Sequence, residues 1–332
     1  MKDVARTAGV SIATVSNVIN RPDLVADRTS VKVRSVIAEL GFVPNNSARQ
    51  LRAGTSPMIS VIVPDIANPF FAELVRGVEA RAVEHDLAVF VSSTEGDVDR
   101  EHRYLNVVIG QRPRGVLFTP AGDLDRPLSV LGARLPVVLI DRESTGSLCS
   151  VAVDDFRGGG LAVHHLHSLG HRALTWVVGP DSIPQCAQRT AGIRYAANQR
   201  GIEVSEVRVS SMTVAEGKLA AATLRAGPLP TAVVCANDLL ALGVEFGLLT
   251  AEIAVPATTS IVGFDDIEFA ASAAVTLTSV TRPAFAIGAT ALDMLLSESS
   301  DPEHRHRQVQ FQPKLSIRNS TAAPRVPSVS RT

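Results

Sequence analysis

Lys2-Asp3-Val4-Ala5-Arg6-Thr7-Ala8-Gly9-Val10-Ser11-Ile12-Ala13-Thr14-Val15-Ser16-Asn17-Val18-Ile19-Asn20 carries two short helical patterns around one glycine. The first runs from Lys2 to Ala8, with Val4, Ala5 and Ala8 on one face, and Gly9 ends it. Ser11 is placed to cap a second helix over 12–19. On that helix Val15, Val18 and Ile19 fall at i, i+3 and i+4 and face inward. Ala13 and Asn17 lie one turn apart on the opposite face, with Ile12 at the tip. A third helix, over about 28–40, repeats the spacing with Val33, Val36, Ile37 and Leu40. Helix, tight turn, helix and packing helix make helix-turn-helix geometry, whose second helix enters a DNA major groove by its N-terminal end. A generic three-helix bundle is the competing reading of the pattern. In a groove, Ile12 would meet thymine methyls, and Asn17 offers both a donor and an acceptor to an adenine edge. Thr14, Ser16, Asn20 and Thr29 carry hydroxyl or amide groups suited to phosphates near helix N-termini.

Working outward, charge separates this segment from the rest. Residues 1–55 hold eight basic and four acidic side chains, a net +4, which leaves −5 on the remainder. The asymmetry points to a polyanionic partner for the N-terminal segment alone. That segment closes with Pro44-Asn45-Asn46-Ser47-Ala48-Arg49-Gln50-Leu51-Arg52-Ala53-Gly54. Its composition favours helix, yet it is too short to be stable in water and has no partner for Leu51. A segment that folds on meeting a polyanion is one reading. A plain interdomain linker is the other.

The chain is 332 residues long, 45% hydrophobic and 20% charged, as for a soluble globular protein of two or three domains. The N-terminus has no signal-peptide pattern, and no apolar run is long enough to span a membrane. Cys149, Cys186 and Cys235 lack metal-ligand spacing and are read as reduced thiols of a cytoplasmic protein. No metal, cofactor or catalytic residue is expected, since neither a serine elbow nor a Cys/His pair is visible. His164, His165 and His167 do not share one helix face. Gly158-Gly159-Gly160 lacks phosphate-loop spacing and opens a helix. His304-Arg305-His306-Arg307 reads as a charged surface turn. The tail from Ala322 to Thr332 reads as disordered.

The body alternates strands and helices. Strand-like runs fall at 59–63, 87–92, 115–119, 136–140, 151–153, 174–178, 231–235, 260–264 and 277–280, with helices such as 71–84 and 161–169 between. Near-continuous apolar strands with crossover helices imply parallel sheets covered on both faces, here two lobes with a cleft between them. Ligands bind beyond the carboxyl ends of such strands. Those ends carry Asp65, Asp141, Asp154-Asp155, Asn237-Asp238 and Asp265-Asp266, with Phe70-Phe71 nearby. Carboxylates, amides, an arginine and an aromatic face suit a polyhydroxylated small molecule. Asp238 and Asp266 are read instead as helix caps.

Asp3-Val4-Ala5, the run from Ala8 to Asn20 and Ala48-Arg49-Gln50-Leu51-Arg52 resemble the N-terminal signature of the LacI/GalR family of transcriptional regulators. Asn68-Pro69-Phe70-Phe71, His165-Leu166, Leu169-Gly170-His171-Arg172, Arg189 with Gly192, Asn237-Asp238 and Gly263-Phe264-Asp265-Asp266 resemble its effector-domain motifs, so the likeness covers the chain to about residue 321. The resemblance implies an α/β protein: a helix-turn-helix domain over 1–43, a hinge helix and linker over 44–56, and a two-lobed periplasmic-binding-protein-like body over 57–321. The lobes would comprise about 57–153 with 281–308, and 154–280 with 309–321, joined by three crossings. It also implies base contacts by Ile12, Ala13, Asn17 and a minor-groove Leu51, with Arg49 and Arg52 on the backbone. Phe71, Asp141, Arg189, Asn237 and Asp265 would line the effector pocket, Arg189 as a bidentate donor. Asn17 stands where many members carry arginine, and Ala26 where a capping serine is common. The implied function is a homodimeric repressor of double-stranded operator DNA controlled by a small molecule, a sugar or sugar derivative, without membrane association. A purine-type corepressor, a partner-binding body and a solute-binding receptor of the same fold are the alternatives.

Overall fold

Gly9 takes a left-handed conformation at φ 62°, which a residue without a Cβ adopts freely, and so turns the chain between its first two helices. These are α1 (Lys2–Ala8) and α2 (Ile12–Asn20); α3 (Asp27–Glu39) packs across them. Ser11 Oγ accepts the Thr14 amide at 3.0 Å and caps α2. Val4, Ala8, Val15, Val18, Val33 and Val36 form the buried centre. Leu40, expected on the same stripe, ends α3 and is exposed. Ala26 gives α3 no side-chain cap.

This is a computed structural model, and it describes residues 1–42, 56–124, 127, 131, 135–144, 146, 148–301 and 303–324. The chain divides into two units, Met1–Ser56 and Pro57–Thr332. The hinge readings, including Arg49, Leu51 and Arg52, lie outside the described residues.

Among its described residues the second unit holds two six-stranded sheets. The first contains β1 (Met58–Val63), β2 (Ala88–Ser93), β3 (Gly115–Phe118), β4 (Val137–Ile140), β5 (Cys149–Val153) and β11 (Gln308–Phe311), in the order β2-β1-β3-β4-β5-β11. The second contains β6 (Ala173–Val178), β7 (Glu203–Arg208), β8 (Ala232–Cys235), β9 (Ser260–Asp265), β10 (Thr278–Thr281) and β12 (Lys314–Ser316), in the order β7-β6-β8-β9-β10-β12. All pairings are parallel except β10 with β12. Residues 308–311 therefore belong to the first sheet, and the third crossing follows Phe311, later than the expected boundary at 308.

Helices α4 (Pro69–Val83), α5 (Val98–Gln111) and α11 (Ala284–Ser300) belong with the first lobe. Helices α6 (Asp155–Ser168), α7 (Pro184–Arg200), α8 (Val214–Arg225), α9 (Asp238–Leu249) and the short α10 (Glu268–Ser272) belong with the second. Gly158, Gly159 and Gly160 lie inside α6 rather than at its opening. A Cβ at Gly159 would come 2.4 Å from the Arg189 carbonyl oxygen, and one at Gly192 would come 1.9 Å from that of Phe156. The glycines thus let α6 and α7 cross in backbone contact, which fixes the two helices that carry Asp155 and Arg189. Residues 322–324, expected to be disordered, are held to the second sheet: the Ala322 amide donates to Ser260 Oγ at 3.0 Å, and its carbonyl accepts from His171 at 3.0 Å. Among the described residues, no helix is long and apolar enough to cross a membrane.

Candidate functional site

The carboxyl ends of both sheets face one cleft, and five charged side chains are buried there. Arg189, on α7, sends Nε to Asp155 Oδ1 at 2.8 Å and Nη1 to the Ala236 carbonyl, while its Nη2 stands 3.9 Å from Asp265 Oδ1. Its guanidinium lies 4.6 Å from the centre of the Phe264 ring. Arg282, between β10 and α11, donates from Nη1 to Asp265 Oδ1 at 2.9 Å and from Nη2 to Asp141. Its Nε lies 3.8 Å from Asp155 Oδ1 and has no hydrogen-bond partner among the described residues. The Phe70 ring covers the Arg282 guanidinium at 4.2 Å. One guanidinium therefore joins the end of β4 in the first lobe to the end of β9 in the second.

Two guanidinium groups face three carboxylates in this buried space, one negative charge in excess if all are ionised. Burial pushes the Asp141 carboxyl up to about 6, although Arg282 beside it favours the ionised form. For Arg189, burial opposes the charge, but Asp155 and Asp265 outweigh it and hold the guanidinium above its usual range. Backbone geometry adds strain. Asp141 has φ 55° and Asp265 has φ 103°, both in the left-handed region that a residue with a Cβ rarely enters.

The cluster borders a cavity of about 90 Å³ lined by Phe70, Phe71, Asp141, Arg189, Asp265 and Arg282, among others. Asn68 caps α4 through Phe70 N at 3.0 Å, and Pro69 opens the helix. That short start turns Phe70 and Phe71 into edge-to-face contact, ring centres 5.2 Å apart. A second, more open hollow of about 420 Å³ involves Asp154, Phe156, Gln188 and Gln310. Both are bordered by Gln185 and Asp141. Gln185 Nε2 on α7 donates to the Asp141 carbonyl and reaches its Oδ2 at 3.2 Å, spanning the cleft from one lobe to the other.

Of the expected pocket residues, Phe71, Asp141, Arg189 and Asp265 come together at the cavity. Asn237 does not. Its Oδ1 caps α9 at Leu240 N, 2.9 Å away, and its Nδ2 donates to the Met212 carbonyl at 3.1 Å. Asp238 is not the expected cap. It is fully buried and accepts from Ile267 N at 2.9 Å and Ser279 Oγ at 2.6 Å. Asp266 is no cap either, and instead accepts from Thr281 at 2.9 Å and Ser316 at 2.6 Å. Arg282 and Gln185 were not singled out in the sequence. Their only signals are position, Arg282 directly after an apolar strand and Gln185 in the first turn of a helix.

In the first unit, Ile12, Ala13 and Asn17 are exposed on one side of α2 while Val15 and Val18 are buried on the other. Thr14 Oγ1 pairs with Ser11 Oγ at 2.8 Å, and Asn20 Nδ2 donates to the Ser16 carbonyl at 2.9 Å. Thr14, Ser16 and Thr29 are half-buried, and Asn20 is exposed.

A helix-turn-helix unit with a polar outward face, followed by a two-lobed α/β body around a charged cleft, defines a DNA-binding regulator with a ligand-binding body. The sequence pattern of bacterial regulatory proteins of the lacI family matches residues 1–45, and that of the periplasmic binding protein-like domain matches residues 163–321. The HTH-type transcriptional repressor PurR of Aliivibrio fischeri is 31% identical, over 97% of this chain and 98% of its own. The ribose operon repressor of Escherichia coli is 32% identical, over 96% and 99%. The crystal structure of the lac repressor dimer bound to operator and the anti-inducer ONPF superposes with a TM-score of 0.83 at 28% identity, covering 97% of this chain and 98% of that one. The chain belongs to the LacI family of bacterial transcriptional regulators. It is a sequence-specific DNA-binding transcriptional repressor.

Proposed function

We propose that the interlobe cleft takes a small polyhydroxylated effector, a sugar or sugar derivative, and that this ligand sets operator affinity. The observation that carries the reading is the meeting of Phe71, Asp141, Arg189 and Asp265 at one cavity, with Arg282 bridging both lobes. Carboxylates and guanidinium groups share hydrogen bonds with vicinal hydroxyls, and the Phe71 ring covers a C–H face. The cavity of about 90 Å³ lies well below the roughly 300–1,000 Å³ of ordinary ligand sites. A monosaccharide therefore enters by parting Gln185 from Asp141, which couples occupancy to the angle between the lobes.

In the same reading the protein acts as a cytoplasmic homodimer on a near-palindromic operator. Ile12, Ala13 and Asn17 read bases; Thr14, Ser16, Asn20 and Thr29 hold phosphates. Leu51 enters the minor groove, and Arg49 and Arg52 contact phosphates. The body binds rather than catalyses. Cys149 and His304 do approach to 3.0 Å, a Cys/His pair the sequence did not reveal, but the thiol is fully buried and beyond the reach of a substrate.

A thermal-shift screen of the full chain against pentoses, hexoses and purine bases, repeated with operator DNA, tests the proposal. A sugar that raises the melting temperature and alters operator affinity supports it. Response to a purine alone moves the site to the corepressor alternative, and a sugar that binds without altering operator affinity refutes the coupling.

A further inference from the structure

Four side chains with metal-ligand atoms converge at the amino ends of β5 and β11, the edge of the first sheet away from the cleft. Cys149 is the first residue of β5, Glu298 lies in the last turn of α11, and His304 and His306 lie just before β11. Cys149 Sγ is 3.0 Å from His304 Nε2 and 3.8 Å from His306 Nδ1. His306 Nδ1 is 3.9 Å from Glu298 Oε2, and all four ligand atoms lie within 4.8 Å of one another. Around a tetrahedral zinc ion, ligand atoms bonded at about 2.0–2.3 Å stand roughly 3.3–3.8 Å apart, so the cluster needs only small adjustments to surround one.

A hydrogen-bonded Cys/His pair beside a surface ion pair is the simpler account of these residues. Two observations go beyond it. Glu298 Oε2 is shut off from solvent and, among the described residues, has no hydrogen-bond partner of normal geometry, although it faces the cluster and acts electrostatically on Cys149. The Arg307 amide donates to Cys149 Sγ at 3.4 Å and orients it. The two histidines, one residue apart in an irregular segment, put their rings 5.8 Å from centre to centre and both turn to the sulfur. The charged surface turn expected at 304–307 is thus partly folded inward.

We propose that Cys149, Glu298, His304 and His306 form a four-ligand site for a divalent transition metal, and that its donors select Zn²⁺. Thiolate and imidazole favour zinc over magnesium or calcium, and four protein ligands close the coordination sphere. Binding displaces the Cys149 thiol proton to solvent. His306 is exposed and gives the ion its way in. The metal ties β5 and α11 to the connection that leads into β11, just before the chain makes its last crossing to the second lobe.

The full-length protein, stripped with chelator, is titrated with Zn²⁺ in competition with a chromophoric chelator and separately with Co²⁺. We expect about one equivalent of Zn²⁺ to bind per chain and Co²⁺ to develop a sulfur-to-metal charge-transfer band. Cys149→Ser should abolish the band. His306→Ala, at an exposed position, should weaken Zn²⁺ binding by at least the roughly 10–100-fold that even outer partners of a metal site cost. Circular dichroism of the metal-free variants shows whether they are folded, and His306→Ala decides the matter if Cys149→Ser is not. Failure of the wild type to bind Zn²⁺ at micromolar concentration, binding without the sulfur band, or undiminished binding in a folded variant overturns the proposal.

Discussion

Arg282, in the segment that crosses from β10 to α11, donates to Asp141 of the first lobe, with its other terminal nitrogen bonded to Asp265 of the second at 2.9 Å. The bridge is buried, so breaking it leaves carboxylates without compensation. Arg282→Met should lower unfolding free energy by about 3–5 kcal/mol, the usual range for removing one partner of a buried ion pair. Urea denaturation measures it. A loss under about 1 kcal/mol would mean that the carboxylates simply take up protons and that the bridge contributes little.

Asn17 lies outward on α2 while Val15 and Val18 form the core. Asn17→Ala should leave the melting temperature unchanged. It should weaken operator binding by about 1–3 kcal/mol and relax preference at one base pair in each half-site. Quantitative gel shifts on an operator library, at fixed salt, read both effects. Equal weakening on every sequence would assign Asn17 to the phosphates.

Two glycines should respond in opposite directions. Gly192→Ala places a methyl 1.9 Å from the Phe156 carbonyl oxygen and must push α6 from α7, at about 1–3 kcal/mol. Gly110, in α5, has no atom of another element within 4 Å of its would-be Cβ among the described residues, so Gly110→Ala should stabilise by about 0.5–1 kcal/mol. Thermal melts of the pair make the comparison, and Gly192→Ala should also impair effector binding because Arg189 moves with α7.

Stability should carry two opposed pH dependences. The Asp141 carboxyl is raised to about 6 by burial, so its folded form holds the proton more tightly than the unfolded chain. Its contribution is complete below the unfolded value near 3.8 and is lost as pH rises through about 6. His171 is lowered from 6.5 by burial, so its contribution is present above that value and is lost as pH falls below it. The melting-temperature difference between wild type and Asp141→Asn should therefore shrink as pH rises from about 5 to 7, and that for His171→Gln should grow. Parallel curves for all three proteins would show that neither group titrates differently on folding.

Legibility in the sequence followed burial. The central strands β1, β3, β4, β8 and β9 are covered on both faces and read as continuous apolar runs. Strand β7, Glu-Val-Ser-Glu-Val-Arg, is an exposed edge strand, and its charges hid it. The edge strands β11 and β12 are short and partly exposed, and were missed for the same reason. Ser11 and Gly9 announced the first unit because caps and turns are local chemistry. At the cleft, Asp141 and Asp265 stood at strand ends where such folds place ligands, with Phe71 close after the first strand, whereas Arg189, inside α7, was implied by the family resemblance alone. Asn237 met the same positional rule, but its amide has a local use as a cap, which position alone does not distinguish. Arg282 and the Cys149 cluster depend on contacts between residues more than a hundred positions apart, for which a single sequence carries no spacing signal.

The bridge through Arg282 gives the cleft a resident competitor. A guanidinium under Phe70, bonded to Asp141 and Asp265, meets the same carboxylates and aromatic wall that a visiting effector would need. An incoming hydroxyl therefore gains little by merely replacing Arg282 on one carboxylate. If the effector binds at this site, net attraction would come only from bonds that both lobes make at once, which would select for ligands with hydroxyls on opposite edges over equally polar ones with them on one.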